Sequence, residues 1–267
     1  MIHLDPTDRR ELLAVAEALA DAARAAILPY FRADGLSADS KETARFDPVT
    51  AADRAAEEAM REVLARRRPD DAIHGEEFGK VTGTTGLTWV LDPIDGTRGF
   101  LSGTPTWGVL VGLRSAEGVL LGVIDQPYIG ERFLGGFGQA WVDGPLGRRP
   151  LKARPARPLS EAIVFTTFPE VGTEEEGRAF RRLSSRARLT RYGTDCYAYA
   201  LIAAGQIDLV AEAGLQAYDV LAPIAVIEAA GGLVTGWDGK PALDGGRVLA
   251  AANPEVHAAA LALLAEL

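Results

Sequence analysis

Only one of the 267 residues is a cysteine, Cys196, so no internal disulfide can form. That excludes the disulfide-stapled secreted scaffolds and fits a reducing, cytoplasmic setting. Histidine is nearly as scarce: His3, His74 and His257 are the whole set, and two of them sit near the termini. No zinc-ligand cluster and no nucleophilic Ser–His or Cys–His pattern can be assembled from them. His74 adjoins Glu76, but it lies in a short strand pattern where a packed core residue is the ordinary role. Lysine and arginine total 28 against 37 aspartates and glutamates, a formal net charge of -9. Such a surface repels DNA and RNA, so no nucleic-acid partner is expected. It also repels a phosphorylated substrate unless a local cation reverses the sign. The one basic run, Arg66-Arg67-Arg68, reads as a helix C-terminus, where the helix dipole favours cations. No apolar run approaches the roughly 20 residues that span a bilayer, so no membrane partner is expected. The N-terminus, Met-Ile-His-Leu-Asp-Pro, lacks the basic-then-apolar order of a signal peptide.

What is present is an ordinary globular balance, 48% hydrophobic and 24% charged, enough for one large domain or two modest ones. Leu12, Leu13, Val15, Ala16, Leu19, Ala23, Ile27 and Phe31 recur at helical spacing and predict a long amphipathic helix. A polar connector, Asp34 to Asp47 with Lys41 inside it, leads to a second helix over Thr50 to Arg68, capped by Thr50 and stopped by Pro69. Ala72–Gly75 and Thr88–Leu91 read as strands, with loop composition from Gly79 to Gly86. Trp107–Arg114 and Val119–Gln126 read as a hairpin, and Arg132–Leu134 with Gln139–Val142 as a weaker one around a Gly135-Gly136-Phe137-Gly138 turn. Pro145 to Pro158, rich in Pro, Gly and Arg, marks a boundary. Beyond it the pattern alternates: strands at 162–166, 207–211, 233–235 and 248–251, helices at 173–186, 196–204 and 220–230, and a last helix from Pro254. The expectation is an α+β unit over residues 1–147 carrying most of the chemistry, then an α/β unit over 148–267.

The most informative segment is Trp89-Val-Leu91 running into Asp92-Pro-Ile-Asp95-Gly-Thr97. A strand places residues i and i+2 on one side. A pair at i and i+3 needs a bend, which Pro93 supplies. Two carboxylates on one bend suit a hard cation such as magnesium or manganese. Haloacid-dehalogenase-type phosphatases separate their two aspartates by one residue, the first being a covalent nucleophile. The wider spacing here favours attack by water. Gly75-Glu76-Glu77 after a strand and Asp219 at the start of a helix would complete a set of four carboxylates. Such a set suits two ions about 4 Å apart that clamp a phosphate ester. Each element also has a plainer role. Glu76 reads as a solvated side chain, Asp219 as a charge at a helix N-terminus, Asp53 as half of a capping box with Thr50, and Asp92-Pro-Ile-Asp95 as a turn.

Gly75-Glu76-Glu77, Asp92-Pro-Ile-Asp95-Gly-Thr97, Tyr218-Asp219 and Glu228-Ala-Ala-Gly-Gly232 resemble, in order and spacing, the motifs of the inositol monophosphatase superfamily, and Asp47-Pro-Val-Thr50-Ala-Ala-Asp53 resembles its upstream motif. The resemblance implies a layered αβαβα sugar-phosphatase fold, a homodimer, and magnesium-dependent hydrolysis of a small phosphorylated metabolite, with two or three ions, manganese as a substitute and lithium as an inhibitor. It implies that Glu76, Asp92 and the Ile94 carbonyl bind the first ion, and Asp92, Asp95 and Asp219 the second. Glu76, Thr97 and Asp53 would act in catalysis, Thr97 paired with Asp53 to orient and deprotonate the attacking water. The backbone amides of Gly96 and Thr97 would hold the phosphate.

Within the superfamily, Arg98-Gly-Phe100-Leu-Ser-Gly103-Thr-Pro105 and Arg191-Tyr-Gly193-Thr194-Asp195-Cys-Tyr197 resemble the histidinol-phosphatase branch. This implies L-histidinol phosphate as substrate, in histidine biosynthesis. Asp195 and Glu212 would pair with its amine and imidazole, with Gly193 and Thr194 beside them. The chain departs from that branch at Gly99 (usually serine), Ala217 (usually proline) and Val220-Leu-Ala-Pro223, with Pro223 expected in the first turn of its helix, where proline is tolerated. These departures spare the expected metal ligands and flank the substrate pocket. Inositol monophosphate or sugar phosphates are the alternative substrates, and a catalytically silent metal-dependent binding protein is the alternative of another class.

Overall fold

A computed structural model describes residues 4–34, 38–40 and 48–265. Helix α1 (Pro6–Ile27) starts at a capping box in which the Asp5 carboxylate accepts from Thr7 N and Asp8 N while Asp8 accepts from Asp5 N. Its apolar stripe, Leu12 to Ile27, is fully buried. Strands β1 (Ala38–Ser40) and β2 (Pro48–Thr50) form a small antiparallel ribbon leading into α2 (Ala51–Arg67), which packs along α1. Lys41 and Asp47 of the connector, and His3, lie outside the described residues.

Next come β3 (Ala72–Gly75), β4 (Gly79–Val81), β5 (Thr88–Asp95), the short helix α3 (Thr97–Ser102), β6 (Gly108–Ser115), β7 (Gly118–Gln126), β8 (Glu131–Gly136), β9 (Gln139–Asp143) and β10 (Arg149–Pro150). They make an eight-stranded sheet in the order β10-β9-β8-β7-β6-β5-β3-β4, antiparallel except where β3 runs parallel to β5. Three readings of the sequence are corrected here. Gly79–Val81 is a strand, not loop. Gly135 and Gly136 belong to β8, leaving Phe137-Gly138 as the turn, both at positive φ. The strand beginning at Thr88 does not stop at Leu91 but runs through Asp95.

The second half supplies β11 (Ile163–Thr166), α4 (Glu174–Ser184), β12 (Leu189–Tyr192), α5 (Asp195–Ala203), β13 (Leu209–Leu215), α6 (Ala217–Ala229), β14 (Leu233–Gly236), β15 (Gly246–Ala251) and α7 (Pro254–Leu264). Its five-stranded sheet runs β12-β11-β13-β15-β14, parallel among the first three strands and antiparallel beyond. Strand β12 had no signal in the sequence reading. Three buried clusters define the layers. One lies between α1/α2 and the first sheet. A second lies between that sheet, α5/α6 and the second sheet. A third lies between the second sheet and α4/α7. The layering is therefore αβαβα. Among the described residues no helix is long and apolar enough to cross a membrane.

Helix α6 sits unusually deep on the first sheet. Gly112, Gly122 and Gly135 are cross-strand partners on β6, β7 and β8 and form a furrow under it. A Cβ at Gly122 would run into the Ala222 backbone, and one at Gly135 into Val226. Overpacking of that kind costs about 1–3 kcal/mol or more. The furrow brings the first turn of α6, with Asp219, against the end of β5. Because α6 begins at Ala217, Pro223 falls in its second turn rather than its first. Its missing N–H leaves the Asp219 carbonyl without the usual helical partner.

Candidate active site

Strand β5 pairs regularly with β6 as far as Asp92 opposite Leu110, then shifts register so that Asp95 faces Gly108. This β-bulge, at Pro93-Ile94, is the bend that the spacing demanded. Asp92 Oδ1 accepts from Ile94 N at 3.1 Å, which locks the bulge. Gly96, at φ +87°, then turns the chain into α3 and sits with Thr97 on the cavity wall. Carboxylate oxygens of Asp92, Asp95 and Asp219 lie within 4.8 Å of one another. Glu76 joins them from the β3–β4 turn. Its N–H donates to Leu91 O at 3.1 Å, and its carboxylate reaches that of Asp92.

Gathering these acids is costly without a cation. At an effective dielectric constant near 20, each like-charged pair at this separation repels by about 3 kcal/mol. Burial, then the charges of Glu76, Asp95 and Asp219, push Asp92 well above the usual carboxylate range. Burial and the charges of Asp219 and Asp195 do the same to Asp95, opposed by a hydrogen bond from the Cys196 side chain. Burial, with Glu76 and Glu212 nearby, pushes Asp219 up to about 7 against the lowering bond from Gln216. An all-oxygen cage of this kind, with Asp92 buried and Asp95 and Asp219 half-buried, fits hard divalent ions and fits nothing soft.

Helix starts hold two of these acids. Cys196 N, in the first turn of α5, donates to Asp95 Oδ2 at 2.6 Å, and Gln216 N donates to Asp219 Oδ2 at 2.7 Å. Asp219 thus serves its helix and faces the cage at once. The Cys196 thiol is buried and pushed far up by burial and by Asp95, which leaves it no thiolate role. His74 stacks edge-on against Tyr218 at 6.0 Å, and burial lowers its pKa, keeping the imidazole neutral.

The expected Thr97–Asp53 pair is not what the structure forms. Asp53 Oδ2 accepts from Thr50 N (2.8 Å) and Thr50 Oγ1 (2.6 Å), the capping box of α2, and Asp53 is fully buried there. Thr97 Oγ1 donates instead to Ile94 O at 3.1 Å. A cap needs only local partners, whereas the pair needs two distant elements in register.

The acids form one wall of a cavity of about 800 Å³. Asp195 and Glu212 line it too, but both are engaged. Asp195, strained at φ +43°, accepts from Thr106 Oγ1 at 3.2 Å. Burial raises its pKa, while that bond and the charge of Arg98 hold it down. Glu212 takes Thr167 N (2.9 Å), Thr167 Oγ1 (2.5 Å) and Tyr199 OH (3.0 Å). Gly193 and Thr194 are not among the lining residues. Gly193 N donates to Thr166 O and Thr167 O, and the Thr194 hydroxyl is buried with no hydrogen-bond partner among the described residues. The sequence reading missed the far end of the cavity: Phe168 under the Arg98 guanidinium at 5.0 Å, and the Glu176–Arg247 pair at 2.8 Å. Arg98 was legible only as part of a motif, and Phe168 carried no signal at all.

Residues 8–267 match the model of the inositol monophosphatase family. The chain belongs to that family. It is a phosphomonoester hydrolase, and the family is metal-dependent, in keeping with the acidic cage. It is 39% identical to the chloroplastic bifunctional phosphatase IMPL2 of Arabidopsis thaliana over 97% of this chain and 76% of that one. It is 38% identical to the histidinol-phosphatase of Streptomyces coelicolor over 92% and 93%. Among solved structures, an inositol monophosphatase from Zymomonas mobilis superposes with a TM-score of 0.84 at 36% identity, covering 96% of this chain and 98% of that one. The αβαβα layering is thus that of inositol monophosphatases.

Proposed function

We propose that this phosphatase hydrolyses L-histidinol phosphate to L-histidinol and phosphate, with magnesium in the acidic cage. The observation that carries the hydrolytic part is the convergence of Asp92, Asp95 and Asp219 oxygens within 4.8 Å beside Glu76. Glu76, Asp92 and the Ile94 carbonyl would hold one ion, and Asp92, Asp95 and Asp219 the other. When bound, such ions neutralise phosphate charge and lower the pKa of water. The Thr97 hydroxyl, fixed on Ile94 O, orients the attacking water, with Glu76 beside it to receive a proton. The Gly96 and Thr97 amides, on the cavity wall, would hold the phosphate. Asp53 is assigned to holding the first turn of α2.

The substrate choice rests on the Arg98 to Pro105 and Arg191 to Tyr197 motifs and on the likeness to the Streptomyces histidinol-phosphatase. A second reading, an inositol or sugar monophosphate, is favoured by one observation: Glu212 already accepts three protein hydrogen bonds, which leaves it little capacity for a substrate cation. Phosphate release with magnesium from a panel of phosphomonoesters separates the two. A kcat/KM on histidinol phosphate at least about tenfold above that on inositol 1-phosphate supports the first, and equal values sink it. Turnover of neither, with phosphate released from another ester of the panel, would sink both substrate readings. The same reading makes the enzyme a cytoplasmic homodimer, in keeping with a single cysteine; sedimentation as a monomer would refute the assembly.

A further inference from the structure

Glu57 is a fully buried carboxylate that no motif singles out. It lies on α2, facing the turn Glu76-Glu77-Phe78 between β3 and β4. Its Oε2 accepts from Glu77 N at 2.7 Å, and its Oε1 accepts from Phe78 N at 3.2 Å and from Arg61 Nε at 2.7 Å. Arg61, one helical turn on, donates its Nη2 to Gly79 O at 2.6 Å, at the far end of the same turn. A Glu–Arg pair at i, i+4 is ordinarily a surface feature of small worth. Here the glutamate is fully buried and the arginine half-buried, and consecutive turn amides converge on the anion, an arrangement that fixes a turn rather than decorating a helix. Gly75 belongs to the same device: a Cβ there would overlap the Glu57 carboxylate.

We propose that Glu57 is a positioning residue for the metal site, clamping the β3–β4 turn so that Glu76 is aimed at Asp92. The inference rests on the reading that Glu76 is a metal ligand. Glu76 is hung between two supports. Its own N–H is bonded to Leu91 O, one residue before Asp92, and the next two amides are bonded to Glu57. The need for support is electrostatic. Glu76 and Asp92 repel, and a carboxylate on an unrestrained hairpin turn would swing into solvent whenever the cage lacks an ion. Holding the backbone keeps the ligand in place and lowers the ordering cost of binding. Groups that orient metal ligands typically change affinity by about 10–100-fold when removed.

The test is a calorimetric Mg²⁺ titration of the wild-type protein, Glu57→Gln, Arg61→Met and Glu76→Gln, each with a thermal melt and with KM at saturating magnesium. Glutamine sets an NH₂ against the Glu77 N–H or forfeits the Arg61 contact, so the clamp is lost with almost no change of volume. Glu57→Gln should bind Mg²⁺ about tenfold more weakly, with substrate KM at saturating Mg²⁺ within about twofold of wild type. Arg61→Met, which spares both turn amides, should shift affinity the same way by about two- to threefold. A folded Glu57→Gln with wild-type Mg²⁺ affinity overturns the proposal. If that variant does not fold, Arg61→Met decides: weakened binding supports the clamp and unchanged binding overturns it. Unaltered binding in Glu76→Gln would instead defeat the assignment of Glu76 as a ligand, a distinct failure.

Discussion

The two ends of the cavity are built by different means. At the acidic end each carboxylate is fixed by regular structure: Asp92 and Asp95 by a bulge in β5, Asp219 by the start of α6, and Glu76 by a turn tied to β5 and α2. At the open end the wall comes largely from the segment after β11, Thr166 to Thr173, with Asp195 at the start of α5 and Glu212 on β13, and those last two acids already serve protein partners. The acidic end is preorganised to concentrate charge, while at the open end Asp195 and Glu212 are already engaged. Chemistry is therefore specified more tightly than substrate.

Removing a charge from the acidic end should have the largest effect. Asp219→Asn loses one charge of the proposed metal site and should weaken Mg²⁺ and cut kcat/KM by about a thousandfold, as read by titration and phosphate release. Unchanged Mg²⁺ affinity would contradict it. Thr97→Ala should keep magnesium binding but slow single turnover by about a hundredfold, the scale of lost proton-transfer assistance; a full single-turnover rate is the contrary result. At the open end, Asp195→Asn should cost about tenfold in kcat/KM on histidinol phosphate and little on a neutral-alcohol phosphate. Equal losses on both would erase the contrast between the two ends.

The smallest effect expected is thermodynamic. In the folded protein Asp92, Asp95 and Asp219 titrate above the unfolded carboxylate value, Asp219 at about 7. A raised acid pKa means that ionisation opposes folding. The stability of the metal-free protein should therefore fall as pH rises from the unfolded carboxylate range, near 4, through about 7. Bound dications remove that penalty, so the rise in Tm on adding Mg²⁺ should be larger at pH 8 than at pH 5 by several degrees. Equal shifts at the two pH values in scanning calorimetry would refute it.

Much of the fold was legible because local signals agreed. The α1 stripe, the Thr50 cap with Asp53 at N3, the Trp107–Gln126 hairpin and the alternation after residue 158 all follow from spacing and turn chemistry. Strand β12 was not legible, because Leu189–Tyr192 is largely exposed and has no clean alternation. The start of α6 was misjudged because Pro223 reads as an early-turn residue until the depth of the helix on its glycine furrow is seen. In the site, Asp92 and Asp95 announced themselves through a bend only a few residues long. Glu57 did not, since a glutamate four residues before an arginine looks like any solvated helix pair.

Composition and motif spacing alone determined the chemical class: an acid-rich, cysteine-poor chain with carboxylates placed for hard cations beside a phosphate ester. Tertiary structure decided which carboxylate serves which partner. Asp53 went to its own helix cap, Glu212 to Thr167 and Tyr199, and Glu57 to the turn that carries Glu76. The reason is physical: a buried carboxylate must be satisfied by whatever donors surround it, and those donors come from segments far apart in the chain, which no local pattern records.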